Sequence, residues 1–493
     1  MSDRRNILLV TADQWRGDCL GALGHPVIET PQLDALARRG VLFSQHFANA
    51  VPCGPSRASL HTGLYLHNHR SGTNGTPLDR RFSNWALELR AAGFDPAVFG
   101  YTHTAPDPRG LPADDPSLIT DQGVLPGIVP IIDMGTHCPD WRRWLIERGY
   151  ELPPTDGATY AARETVAEGL DVPRASLWDR KHTDTWFLTD QVIDYIDQQS
   201  TDPGWAVHLS LRAPHPPWIA AAPYHRRYQI DSLPPPERRP TAAEEGALHP
   251  WLAQHLASDR NQSHEDDRRH RLLQASYYGL MAEVDDNMGR LLDHLDASGE
   301  LDSTLVMFTS DHGEQMGDHW LYGKTGFFDQ SFRVPMIVAG PGVKPGLVDR
   351  FTEHVDIMPT LLDWLGLPCP RQCDGHSLGP FLDGAEPATW RQAAHFEYDF
   401  RHSQAEADLG LSMETACLNV IRDHEYKYVH FAELPPLLFD LCADPHELTD
   451  ISVAQPAVVA EYARRLLSWR LEYTDKTLSH ITVTKDAGVT TRA

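Results

Sequence analysis

The sequence predicts a doubly wound α/β domain, with a mostly parallel sheet flanked by helices, followed by a smaller α+β domain containing a short antiparallel sheet. Three observations carry this. Apolar runs that read as buried strands alternate with helical patterns from Asn6 to about residue 385. Two of those runs end directly in acidic residues, at Asp13 and at Asp311-His312, where an open α/β sheet gathers its functional side chains. Beyond residue 385 the alternation gives way to short runs spaced like antiparallel strands.

The first strand is Asn6-Ile7-Leu8-Leu9-Val10-Thr11, a continuous apolar run with Asp13 just past its carboxyl end. Residues 30–40 carry an N-terminal cap signal, Leu at helical spacing and a terminal glycine, and predict a helix. A helix is expected over Ser59 to Leu66 after the Cys53 loop, then a helix over Asn84 to Ala92 and a strand over Pro96 to Gly100. Residues 104–180 are rich in Pro, Asp and Gly and read as a long irregular insertion. A helix at Asp184 to Gln199 and a strand at Trp205 to Leu211 precede a second insertion at 222–268. The segment Arg271 to Ala297 is amphipathic, with Leu280, Val284, Met288, Leu291, Leu292 and Leu295 on one face. Strands follow at Thr304 to Ser310 and Met336 to Gly340, and a helix at Asp356 to Leu365. Four short strands are then expected at His395 to Tyr398, Ala416 to Ile421, Tyr426 to Phe431 and Leu437 to Asp440, with a helix from Pro456 to Trp469. The domains are therefore 1–385, carrying both insertions, and 386–493.

Composition bounds the function. The chain of 493 residues has 43 Lys+Arg against 68 Asp+Glu, a formal charge of −25, which excludes a basic footprint for nucleic acid or an anionic membrane. An anionic substrate would have to be attracted locally, by a metal ion and a few cations. The apolar run near the N-terminus is too short for a signal peptide, and no run is long enough to span a bilayer. Seven cysteines are too few and odd in number for a disulfide framework, and Cys369 and Cys373 lack partners for a zinc pattern. Reduced thiols and a cytoplasmic location are expected.

Asp13 and Asp311-His312 can converge on one sheet edge as a mixed carboxylate and imidazole metal site. Taken singly, each acid is more often a helix cap or a solvated loop residue. Cys53 adds to them. It is flanked by prolines and glycine in Val51-Pro52-Cys53-Gly54-Pro55-Ser56-Arg57, followed by arginine, and placed near a helix start, a setting that favours anions. The chemistry points to an anion-facing nucleophile, either the thiolate or a group made from it.

The Cys53-Gly54-Pro55-Ser56-Arg57 run, with Thr62-Gly63 beyond it, resembles the signature of the sulfatase family of the alkaline phosphatase superfamily. The resemblance extends over nearly the whole chain and is most like the bacterial phosphonate monoester hydrolase and cytosolic arylsulfatase branch. It runs through Asp13-Gln14-Trp15-Arg16, Gly100-Tyr101-Thr102, Pro106-Asp107-Pro108-Arg109, Pro214-His215-Pro216-Pro217, Ser310-Asp311-His312-Gly313-Glu314-Gln315, Gly317-Asp318-His319 and Gly323-Lys324.

That resemblance implies an alkaline-phosphatase-like fold and a maturation enzyme that oxidises Cys53 to formylglycine, whose hydrate is the nucleophile. It implies one divalent metal ion ligated by Asp13, modified Cys53, Asp311 and His312. The imidazole favours manganese over calcium, with zinc also possible. Arg57 is expected to hold the formylglycine oxygen or the substrate anion, Lys324 the equatorial oxygens, and His215 the leaving oxygen. Asn74 and Tyr101 are expected to face the substrate. His103 stands where the phosphonate hydrolases have a small hydroxyl residue, and tilts the expectation toward aryl or alkyl sulfate monoesters, cleaved through a covalent enzyme–sulfate intermediate. Promiscuity toward phosphonate monoesters and phosphate diesters is expected; the alternative is a phosphonate monoester hydrolase or phosphodiesterase on the same site. The polar tail after Leu478 implies a homo-oligomer, dimer or tetramer.

Overall fold

The computed structural model describes residues 5–135, 138–155, 157–163, 172–199, 204–258, 261–475 and 477–491. The insertion expected at 104–180 lies partly outside them, as do the last two residues of the tail.

The strand Asn6–Ala12 is the centre of an eight-stranded sheet. Across the sheet the strands run Gly346–Val348, Val41–Phe43, Met336–Ala339, Thr304–Thr309, Asn6–Ala12, Ala206–Leu211, Ala97–Gly100 and Val129–Asp133. All pairings are parallel except those of Met336–Ala339, which is antiparallel to both neighbours. The doubly wound, mostly parallel expectation therefore holds. The central run is apolar on both faces because both are covered. Leu8, Val10 and Ala12 pack with Val284, Met288 and Leu291 of the 32-residue helix Asp267–Ser298 on one side. Ile7 and Leu9 pack with Leu60, Trp85 and Leu361 on the other. Fully burying each such aliphatic side chain contributes ~1.5–3 kcal/mol relative to leaving it in water.

Three expectations need correction. The helix placed at Ser59 to Leu66 begins six positions earlier and runs Cys53–Thr62, with Cys53 its first residue. Pro55 does not prevent this, since the first-turn N–H groups have no intrahelical partner to lose. The insertion at 104–180 is not wholly irregular: it supplies the edge strand Val129–Asp133 and the helix Pro139–Glu147. The short strands Val41–Phe43 and Ala50–Val51 were not expected at all.

Ala50–Val51 matters most. It is the fifth strand of the antiparallel sheet that the region beyond 385 forms, pairing in parallel with Ala394–Asp399 through Tyr398 and Val51. The other strands are Cys417–Arg422, Tyr426–Phe431 and Leu437–Asp440. Two residues after Val51 the chain enters the helix of Cys53, so the second sheet anchors the approach to that cysteine. Among the described residues no helix is long and apolar enough to cross a membrane.

Candidate active site

Four neighbouring strands deliver the site from their carboxyl ends. Asn6–Ala12 leads to Asp13, Thr304–Thr309 to Asp311 and His312, Ala97–Gly100 to Tyr101 and His103, and Ala206–Leu211 to His215. The helix Cys53–Thr62 points its first residue into the same space.

One ligand atom from each of Asp13, Cys53, Asp311 and His312 lies within 4.8 Å of all the others, and all four residues are buried. Among the described residues this is the one group of such donors close enough to share an ion. The donor set fits a cation. Asp13 Oδ1 is buried without a hydrogen-bond partner. His312 Nδ1 is 2.9 Å from the Gly313 carbonyl, which can only accept, so Nδ1 carries the proton and Nε2 presents its lone pair. That Nε2 lies 3.2 Å from Cys53 Sγ and 3.7 Å from both Asp13 and Asp311.

Charge balance at the cluster comes from Arg57 and Lys324. Arg57 Nε donates to Asp311 Oδ2 at 2.9 Å and Nη2 to Asp13 Oδ2 at 3.3 Å. Nη1 donates to Ser210 Oγ at 2.8 Å and to the Tyr101 carbonyl at 3.1 Å. Lys324 Nζ donates to Cys53 Sγ at 3.1 Å and to Gln14 Oε1 at 2.9 Å. Burial alone would raise the Asp13 carboxyl, but His215, Lys324, Arg57 and His312 outweigh it and hold the group far below the usual carboxylate range. Burial and Asp13 both act to raise Asp311, yet His312, Arg57 and Lys324 leave it lowered. Burial opposes the charge on Lys324, while Cys53, Asp13 and Asp311 raise it, so the ammonium persists.

The family profile described as Sulfatase matches residues 5–367, and one described as N-sulphoglucosamine sulphohydrolase, C-terminal, matches residues 317–471. The chain belongs to the sulfatase family. It is 40% identical over 514 aligned positions to the multifunctional alkaline phosphatase superfamily protein PehA of Trinickia caryophylli, covering 99% of each chain. Among solved structures it is similar to the phosphonate monoester hydrolase of Agrobacterium radiobacter, with 42% identity and a TM-score of 0.93 over 99% of this chain and 100% of the other. It is also similar to the phosphonate monoester hydrolase of Silicibacter pomeroyi, with 35% identity and a TM-score of 0.92 over 100% and 99%. The alkaline-phosphatase-like fold is thus shown.

Within this sulfatase site the expected residues divide. Lys324 Nζ stands 3.1 Å from Cys53 Sγ. Asn74 accepts from the Gly54 N–H at 2.9 Å, so its side chain caps the head of the Cys53 helix. Gly54 permits this approach: a Cβ there would stand 3.1 Å from Asn74 Oδ1. Tyr101 turns its hydroxyl onto Asp13 and its ring under the Arg57 guanidinium, 4.4 Å away, so it braces the carboxylate. His103 is buried with Nε2 unpartnered, 3.7 Å from Asp121. Its backbone φ of 51° is in the left-handed region, which a non-glycine residue adopts at some cost.

Arg57 spends four of its five N–H groups on Asp311, Ser210, the Tyr101 carbonyl and Asp13, and so braces the carboxylates. His215 Nδ1 donates to the Pro216 carbonyl at 2.7 Å, and burial, with Lys324 adding, pushes its pKa down to about 3. The imidazole is therefore neutral at rest, and it can protonate a leaving oxygen only after first taking up a proton.

Two residues of the site were not singled out from sequence. Gln14 spans from Lys324 to Glu314, to which its Nε2 donates, and Glu314 is fully buried. Burial pushes the Glu314 carboxyl up to about 7, against the Met316 and Gly323 N–H groups, Gln14 and Lys324. The available signal was an acid two residues beyond His312, in a run with no other reason to hold a charge.

Proposed function

We propose that the chain hydrolyses phosphonate monoesters, and phosphate diesters with the same machinery, using formylglycine made from Cys53 and one divalent metal ion, Mn²⁺, held by Asp13, the modified Cys53, Asp311 and His312. The observation that carries this reading is the likeness over the full chain to two phosphonate monoester hydrolases, at 42% and 35% identity, together with the donor cluster at Cys53. The expectation of sulfate preference takes second place. Bound at this cluster, the ion would lower the proton affinity of the hydrated aldehyde and offset charge developing on the ester oxygens.

The chain's own residues do the rest. Lys324, already on the Cys53 side chain, offers its ammonium to the anionic oxygens beside the nucleophile. Asn74 caps the helix head and keeps the nucleophile's backbone in place. His215 offers a neutral Nε2, ready to accept a proton from water or from the attacking hydroxyl before passing one on. Arg57 and Tyr101 hold Asp13 and Asp311 as carboxylates aimed at the cation.

A second reading, a sulfate monoester hydrolase, is favoured by one observation: buried His103 makes no hydrogen bond at Nε2, 3.7 Å from Asp121, and would offer that nitrogen to a substrate oxyanion. The test is kcat/KM for p-nitrophenyl phenylphosphonate and p-nitrophenyl sulfate on protein co-expressed with a formylglycine-generating enzyme, with metal content measured on the same sample. A phosphonate preference is expected; a tenfold or larger sulfate preference would put the second reading first. We also propose that the exposed hairpin Ile481–Thr484 and Gly488–Thr491, which leaves Val483 and Val489 in solvent, is a contact between subunits of a homo-oligomer. Light scattering on a chain ending at residue 477 tests it.

A further inference from the structure

The residues around Lys324 form a hydrogen-bond relay whose direction is set at one end. Glu314 Oε1 accepts from two backbone groups, the N–H of Met316 at 2.8 Å and of Gly323 at 2.7 Å. Its other oxygen accepts from Gln14 Nε2. The Gln14 carboxamide is thereby turned so that Oε1 faces the opposite way, where it accepts from Lys324 Nζ at 2.9 Å. Lys324 in turn donates to Cys53 Sγ at 3.1 Å. The Gln14 backbone is fixed independently. Its N–H donates to Asp311 Oδ1 at 3.2 Å and its carbonyl accepts from the Tyr277 hydroxyl at 2.7 Å, at a φ of 71°. The side chain therefore has one freedom left, which end of the amide points at the cation cluster, and a carboxamide carries no preference of its own. A wrong choice would turn an N–H₂ group toward an ammonium and a metal centre.

We propose that Glu314 is a positioning residue that fixes the polarity of the Gln14 carboxamide, and through it the place of the Lys324 ammonium at the nucleophile. In its ionised form Glu314 can only accept, so it admits one orientation of Gln14. The two backbone donors hold Glu314 itself, and one of them, Gly323, immediately precedes Lys324, so the same carboxylate anchors both the lysine's backbone and its side-chain acceptor. Glu314 touches neither Cys53 nor any of the four donor residues except through Gln14. The proposal rests on reading the cluster as a metal centre, and polarity is what the test must isolate from packing.

Glu314→Gln does so. The new side chain must keep its carbonyl oxygen on the Met316 and Gly323 N–H groups, which leaves its N–H₂ facing that of Gln14. Gln14 must then flip and present its own N–H₂ to Lys324. The companion variant Gln14→Glu/Glu314→Gln restores the sequence of acceptors and donors with the charge exchanged between the two positions, whereas Gln14→Glu alone sets two carboxylates face to face. The readouts are the Mn²⁺ dissociation constant by isothermal titration, kcat and KM for both p-nitrophenyl esters, and the thermal unfolding midpoint. We expect Glu314→Gln to weaken Mn²⁺ binding and lower kcat by 10- to 100-fold with little change in KM, the scale on which outer hydrogen-bond partners of metal sites act. The double variant is expected to recover at least tenfold of each loss, more than additivity allows. Mn²⁺ affinity and kcat at the wild-type level in Glu314→Gln, or a double variant no better than the product of the singles, would overturn the proposal. If the wild type binds Mn²⁺ but cleaves neither ester, the proposed function fails while the titration still judges Glu314.

Discussion

Arg57→Met removes the one permanent cation lying between Asp13 and Asp311 while keeping most of the buried volume. In the structure Arg57 is 1% exposed and stands 2.9 Å from Asp311 and 3.3 Å from Asp13. Each charge pair at ~4 Å in a medium of effective dielectric ~20 is worth about 4 kcal/mol. Removing one partner of a buried pair costs ~3–5 kcal/mol in practice, because the remaining charge is left uncompensated. The Lys324 ammonium remains nearby and limits the loss to that range rather than twice it. Urea unfolding in EDTA should therefore show a loss of ~3–5 kcal/mol. The deficit should shrink in excess Mn²⁺, since the ion replaces the missing charge. In kinetics, kcat should fall while KM changes little, because four of the five Arg57 N–H groups are held by protein acceptors. Wild-type stability of Arg57→Met in EDTA, or a tenfold rise in KM at unchanged kcat, would refute the reasoning and return Arg57 to the substrate.

Lys324→Met should lower kcat/KM for either ester by ~10²–10³-fold, the scale of losing one preorganised donor, and steady-state kinetics checks it. His103→Thr should move the ratio of phosphonate to sulfate kcat/KM toward phosphonate by about tenfold, or 1.4 kcal/mol; an unchanged ratio would mean that His103 only fills space. His61 is buried with Nδ1 accepting from Trp85 Nε1, and burial, with Arg57 and His354 adding, pushes its pKa down to about 3. Its unfolded value is near 6.5, so its stabilising neutrality is complete above pH 6.5 and is lost as pH falls from there toward 3. His61→Gln should reduce the slope of stability against pH in that window by up to ~1.4 kcal/mol per pH unit, measured by urea unfolding at several pH values.

What the sequence made legible follows from how local each signal is. The strands Asn6–Ala12, Ala206–Leu211 and Thr304–Thr309 are long, buried on both faces and bounded by polar residues, and each could be read directly. Val41–Phe43 and Ala50–Val51 have three and two residues, too few for any periodicity to register. Val129–Asp133 is an edge strand with exposed Pro130 and Ile131, so its pattern lacks the apolar continuity of its neighbours. The start of the Cys53 helix was hidden by Pro52 and Pro55, which read as loop residues although a first turn tolerates them.

At the site the same distinction holds. Asp13, Asp311 and His312 could be found because strand carboxyl ends are where such groups collect, and Cys53 because its neighbours are unusual. Which acceptor each donor meets could not, since Arg57 reaches Asp311 across 254 residues and Gln14 reaches Glu314 across 300. Those partners change what the residues can do. An arginine near a nucleophile suggests an anion hook; an arginine whose nitrogens all end on the protein is a brace. On the proposed function, the attraction for a monoanionic ester falls mainly to Lys324 and the ion, in a chain whose formal charge of −25 opposes it. At physiological salt that opposing field fades within about 8 Å, while charges inside a buried cluster are screened far less. On that reading, capture of the anion depends on keeping Lys324 charged and aimed at position 53, and the contacts that do so run through Gln14 and Gly323 to Glu314, two residues beyond His312.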